Sequence, residues 1–90
     1  MSEKAKVIIY SKPGCHLCEE AKRAIRAADC AGEYTLEEVN IETDPVLLER
    51  FRYEIPVITI NGHKAFKYRL TPSEFRERLL RAAKEAKPSF

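Results

Sequence analysis

Apolar positions along the chain fall into short β-like runs separated by helical stripes, and that alternation sets an element order. Val7-Ile8-Ile9-Tyr10 is an unbroken apolar run, which predicts a central strand covered on both faces. Pro13-Gly14 breaks the strand and turns the chain. From Cys15 to about Asp29 the period becomes helical: Leu17, Ala21, Ile25 and Ala28 recur at spacings of four, four and three, making one apolar stripe. Glu19 and Arg23 are expected to pair across one turn on the outer face, and Gly32 is the expected stop. Tyr34, Leu36, Val39 and Ile41 alternate loosely and predict a second strand over 34–41.

Asp44-Pro45 reads as a cap followed by proline at the first helical position, opening a short helix over 45–51 with Leu47, Leu48 and Phe51 for packing. Two β-rich runs then flank Asn61-Gly62, the strongest hairpin signal in the chain, and Pro56 opens the first of them. Thr71-Pro72-Ser73-Glu74 is a capping box before a final helix with Phe75, Leu79, Ala82, Ala83 and Ala86 on one face. Residues 87–90 are expected to form a loose tail. The order is β-α-β-α-β-β-α. A parallel crossover followed by a hairpin gives an α/β fold: a four-stranded mixed sheet with helices on both faces. The 90 residues fit one domain, 1–90, with its core over about 6–86.

Charge adds little to that picture. The net charge is +2, with Lys and Arg interleaved among Glu and Asp, so nothing points to nucleic acid. No targeting segment or run of membrane-spanning length is visible, and the expected compartment is the cytoplasm, where thiols stay reduced. Three cysteines argue against a disulfide framework and fit one working pair plus a spare.

The chemistry lies in Cys15-His16-Leu17-Cys18. Two thiols three positions apart, between a strand and a helix start, are what thiol–disulfide exchange requires. Only the thiolate attacks, and a helix N-terminus lowers a thiol pKa from its ordinary value of about 8.5. Cys15 precedes the first free N–H groups of the helix, while Lys12 and a protonated His16 add positive charge nearby. Cys18, one turn further in, is expected to be more buried and less ionised. Packing alone is the weaker reading of the pair. Structural zinc lacks further ligands, and haem attachment lacks a histidine after Cys18. Cys30 reads as a semi-buried spectator and His63 as a solvated strand residue.

The C-x-x-C at a helix start, Ile55-Pro56 opening the third strand and this element order together resemble the thioredoxin fold. The Tyr10-Ser11-Lys12-x-x-Cys15 lead-in and the short chain resemble a glutaredoxin, most of all the small bacterial and archaeal glutaredoxin-like proteins. The resemblance runs from Val7 to Ala86. It implies an oxidoreductase that reduces small-molecule or protein disulfides, with Cys15 as nucleophile and Cys18 as resolving thiol. It further implies a cis peptide bond before Pro56, facing the thiols, and a carboxylate-binding role for Lys12. By their own positions Tyr10 and Ile55 are expected to line the same groove, Lys67 and Arg69 either contact a substrate carboxylate there or form a solvated edge, and His16 either tunes the nucleophile or is an exposed residue of little effect. No metal or tightly bound cofactor is expected, and a monomer is. Glutathione is the reductant the resemblance implies, with a protein reductase as the alternative. The competing class is a non-enzymatic carrier that shares an iron–sulfur cluster or metal through the same thiols. Three departures stand out: His16-Leu17 replaces the usual Pro-Tyr, Glu54-Ile55-Pro56 replaces Thr-Val-Pro, and Lys67-Tyr68-Arg69-Leu70 replaces a Gly-Gly-acidic segment.

Overall fold

Strand β1 (Ala5–Ser11) is the spine of the sheet. It pairs in parallel with β2 (Tyr34–Asn40) and antiparallel with β3 (Val57–Ile60), which pairs antiparallel with β4 (His63–Lys67). The spatial order is β2-β1-β3-β4. The helices are α1 (His16–Ala27), α2 (Pro45–Phe51) and α3 (Pro72–Ala86), with a 3₁₀ turn at Ile41–Thr43 before α2. This is the β-α-β-α-β-β-α order expected from the apolar pattern. The computed structural model describes residues 4–86, with side chains through 82; the expected tail at 87–90 and the side chains of Ala83 and Ala86 lie outside the described residues.

Two apolar clusters hold the layers together. On one face of the sheet, Val7, Ile9, Ile58 and Ile60 pack against Ala21 and Ile25 of α1 and Phe75 and Leu79 of α3. Each large side chain so buried contributes about 1.5–3 kcal/mol. A smaller cluster joins Cys18, Ile41, Phe51, Ile55 and Val57, with Tyr10, Cys15, Leu47 and Leu48 partly buried around them. There α2 reaches the opposite face, and the Phe51 ring lies 4.9 Å from that of Tyr10.

Local chemistry sets the element ends as expected. Asp44 accepts the Val46 N–H at 2.9 Å, with Pro45 at the start of α2. Thr71 and Glu74 exchange side-chain-to-backbone bonds of 2.9 and 3.1 Å at the start of α3. Asn61 and Gly62, at φ 51° and 84°, form the doubly left-handed turn that suits the twist of a two-residue hairpin.

Several expectations are corrected. Burial along β1 alternates, with Ile8 and Tyr10 half-buried, because the seven-residue α2 covers only part of the second face. β2 is an edge strand paired only with β1, so Leu36 stays 41% exposed; Ile41 is fully buried, but in the 3₁₀ turn. The buried stripe of α1 is Cys18, Ala21, Ile25 and Ala28, and Leu17, one position round the helix, is only half-buried. Glu19 pairs with Lys22 at 2.8 Å instead of Arg23, since Lys22 is drawn toward the sheet by Glu38 on β2. The helix ends at Ala27, and Asp29, at φ 57°, turns the chain away before Gly32; a short polar side chain tolerates that conformation.

Candidate active site

The strand register brings four strand ends to one end of the sheet. Ser11 lies opposite Asn40, Tyr10 opposite Val57, and Val57 opposite Lys67. Beyond Ser11, residues Lys12-Pro13-Gly14-Cys15 make a turn closed by the Cys15 N–H donating to the Lys12 carbonyl at 3.3 Å. Gly14 has φ 76°, the left-handed value the third residue of such a turn requires, with Pro13 before it supplying the preset φ.

Cys15 leaves this turn extended, at φ −84° and ψ 111°, and caps α1. Its sulfur accepts the Cys18 N–H at 3.2 Å. A cap position faces the unpaired N–H groups and the positive end of the helix dipole, both of which favour an anion there. Cys15 is half-buried, whereas Cys18, one turn on, is 1% exposed. The two sulfurs are in disulfide-bonding contact, and the Cα atoms are 5.2 Å apart, within the span a disulfide bridges.

Opposite the thiols, the Ile55–Pro56 peptide is cis and both residues are buried. Ile55 belongs to the thiol cluster, and so does Tyr10. The Pro56 carbonyl accepts the Tyr68 N–H at 2.9 Å, which ties the segment after β4 to the proline. Lys67 and Arg69 are exposed at that end of β4, and Lys12 is exposed on the turn after β1. The structure therefore brings Cys15, Cys18, Tyr10, Ile55, Pro56, Lys12, Lys67 and Arg69 to one end of the sheet. His16 points outward: its side chain is 83% exposed, and Nε2 lies 3.1 Å from a Glu20 carboxylate oxygen. His63 is exposed at the hairpin, at the other end of β4. Cys30 is buried in the larger cluster, its thiol donating to the Ala28 carbonyl at 3.4 Å.

Sequence reasoning missed a polar clasp beside the site. Ser11, 2% exposed, donates from its hydroxyl to Glu38 at 2.9 Å, and Lys22 bridges Glu38 and Glu19. Hydrogen bonding to Glu19, then to Glu38, raises the Lys22 ammonium above its ordinary value, and hydrogen bonding to Lys22 lowers the Glu19 carboxyl. Near the proline, Lys64 bonds Glu54 at 2.8 Å and holds that carboxyl below the usual carboxylate range. Glu54 thus faces a lysine and not the thiols. Among the described residues, no three His, Cys, Asp or Glu side chains converge as a metal-holding group. A shallow trough of about 490 Å³ on α2, lined by Pro45, Leu48, Glu49, Arg52 and Tyr53, includes none of the thiol-site residues. No helix of the described residues is long and apolar enough to cross a membrane.

Known proteins align with this chain over the same core. The family model described as Glutaredoxin-like domain (DUF836) matches residues 6–83. A Dictyostelium discoideum protein named as a glutaredoxin-like homolog is 31% identical over 67 residues; the match takes in 68% of this chain and only 62% of that relative's length. A Nitrosomonas europaea protein solved by solution NMR is similar with a TM-score of 0.73 at 25% identity, covering 87% of this chain and 94% of its own. An X-ray structure from X. campestris is similar with a TM-score of 0.67 at 23% identity, over 91% and 99% of the two chains, a likeness of fold.

Proposed function

Because the chain belongs to the glutaredoxin-like domain family, we propose that it is a cytosolic dithiol oxidoreductase that reduces protein or small-molecule disulfides. The observation that carries this reading is the asymmetry of the pair. Cys15 is half-buried at a helix cap and accepts a backbone N–H, while Cys18 is buried and in contact with it.

In the reduced protein, the Cys15 thiolate attacks one sulfur of the substrate disulfide. The substrate S–S bond breaks, a Cys15–substrate disulfide forms, and the departing sulfur takes a proton from solvent. Cys18 then loses its proton and attacks the Cys15 sulfur, expelling the second substrate thiolate and forming the Cys15–Cys18 disulfide. The pair gives up two electrons and the substrate gains them. Two equivalents of a monothiol, or one dithiol protein, return the pair to its reduced form. Glutathione or a thioredoxin-reductase-type protein supplies those thiols. The half-buried Tyr10 offers the apolar surface against which the substrate lies, backed by the buried Ile55–Pro56 segment, and Lys12 supplies a cation at its edge. His16, balanced by Glu20, acts only weakly on Cys15.

The test is reduction of bis(2-hydroxyethyl) disulfide, run in parallel with glutathione and with a thioredoxin-reductase-type donor. The expected result is turnover with at least one donor, complete loss in Cys15→Ser, and a substrate adduct on Cys15 trapped in Cys18→Ser and seen by mass. Undiminished turnover in Cys15→Ser overturns the proposal.

A further inference from the structure

Left-handed backbone occurs at a few of the described positions, and residue type accounts for all but one of them. Gly14, Gly32 and Gly62 carry no Cβ, and Asp29 and Asn61 have short polar side chains that tolerate this conformation. The exception is Tyr68, at φ 69°. The surrounding backbone explains the path of the chain there. The Tyr68 N–H donates to the Pro56 carbonyl at 2.9 Å, and the Arg69 N–H donates to the Lys67 carbonyl at 2.8 Å. Leu70 packs against the larger apolar cluster. Together these ties close a three-residue turn between β4 and α3, which glycine would make without steric strain.

They do not explain the tyrosine. A bulky side chain is disfavoured in this conformation and persists there only when something else offsets the strain. Core packing does not, because Tyr68 is 42% exposed and belongs to neither apolar cluster. The Lys67 ammonium lies 5.5 Å from the ring centroid, but both residues are exposed, and such a cation–π contact is weak in water. The position of the ring suggests what does. Its N–H is tied to the proline opposite the thiols, and its neighbour Lys67 stands in one row with Val57 and Tyr10. An exposed aromatic residue is thus held in a strained turn beside the thiol site.

We propose that Tyr68 is a specificity-determining residue, whose ring receives an apolar side chain lying next to the reacting cysteine of a polypeptide substrate. The inference rests on the disulfide-reductase reading and narrows it to a substrate class: polypeptide disulfides with an apolar residue beside the sulfur that Cys15 attacks. Contact with that residue buries apolar surface on both sides. Because the turn is fixed before the substrate arrives, little backbone freedom is lost on binding.

The test compares two disulfide peptides that differ only in the residue next to each cysteine, Leu or Ser, alongside bis(2-hydroxyethyl) disulfide. The expected kcat/KM ratio of the Leu to the Ser peptide is about tenfold, the effect of partly burying one apolar side chain. Tyr68→Gly relieves the backbone, so its urea midpoint rises, while the ratio collapses to within about twofold. Tyr68→Phe keeps the ring and the ratio. Peptide rates equal within about twofold in the wild-type protein overturn the inference, and that arm needs no variant to fold. A ratio that Tyr68→Gly leaves unchanged overturns it as well. So does a lowered urea midpoint in that variant, which would mean that the ring already stabilises the free protein. If bis(2-hydroxyethyl) disulfide is reduced but the peptides are not distinguished, only the role of Tyr68 falls. If the wild-type protein reduces no disulfide, the reductase reading falls with it.

Discussion

The Ser11–Glu38 contact permits a test of how the thiol turn is anchored. Ser11 is the last residue of β1, immediately before the turn that carries Lys12 and Cys15. Its buried hydroxyl donates to Glu38 at 2.9 Å, and Glu38 is held in turn by Lys22. A hydrogen bond to a charged group is worth about 1.5–3 kcal/mol, but the Glu38 side chain is 47% exposed, and solvent reduces this to about 1 kcal/mol. Glu38→Ala also leaves the Ser11 hydroxyl buried without its acceptor, so the single variant is expected to lose about 1–2 kcal/mol. Ser11→Ala should cost about 1 kcal/mol. With both partners gone there is no orphaned hydroxyl, so the double variant should lose about 1 kcal/mol less than the sum of the singles. Urea unfolding of all four proteins, compared at constant m-value, measures this coupling. A double variant that equals the sum of the singles within about 0.3–0.5 kcal/mol would refute the claim that these two side chains act as a unit.

The Glu54–Lys64 pair should make stability depend on acid pH. Because the folded carboxyl is held low, its contribution is complete above the unfolded carboxylate value of about 4.3 and disappears as pH falls through the folded value. The urea midpoint should therefore drop less steeply between about pH 5 and pH 3 in Glu54→Gln than in the wild-type protein, and parallel curves would remove this pair from the account. Gly62→Ala should cost about 1–2 kcal/mol, since φ 84° penalises any side chain even where there is open space for it; thermal unfolding reads this as a fall of several degrees. Arg76 donates two bonds to the Ala28 carbonyl, of 3.2 and 2.9 Å, at the end of α1. Arg76→Ala should lower stability by about 1 kcal/mol, while Arg78→Ala on the same helix serves as a control with no such contact.

Features with a local cause were legible in the chain. The Asp44 cap, the Thr71–Glu74 box and the Asn61-Gly62 hairpin each depend on two to four neighbouring residues, and each forms as expected. The C-x-x-C was legible as a dithiol for the same reason, and its helix start placed Cys15 at the cap. Features set by distant partners were not. Whether Ile8 is covered depends on how far α2 extends over the sheet, which the run Val7–Tyr10 does not encode. The partner of Lys22 comes from β2, sixteen residues away, so an i,i+4 rule applied to Glu19 and Arg23 found the wrong pair. Phe51 was visible as an apolar helix residue, but its role in roofing the thiol cluster against Tyr10 required the crossover to be built. The Lys67–Arg69 turn was legible as a departure from the glutaredoxin pattern; its left-handed centre and its tie to Pro56 were not.

The separation of the core into two clusters gives the protein an internal gauge of its own breathing. Cys18 lies in the smaller cluster at 1% exposure and Cys30 in the larger at 5%, so each is shielded by different packing. With the pair reduced, an alkylating reagent added to the folded chain marks Cys15 first. The Cys18 label then arrives at the rate at which the region under α2 opens, and the Cys30 label at the rate at which the α1–α3 layer lifts from the sheet. Mass spectra taken over time would resolve these as successive single-label steps, without any probe beyond the three thiols the chain already carries.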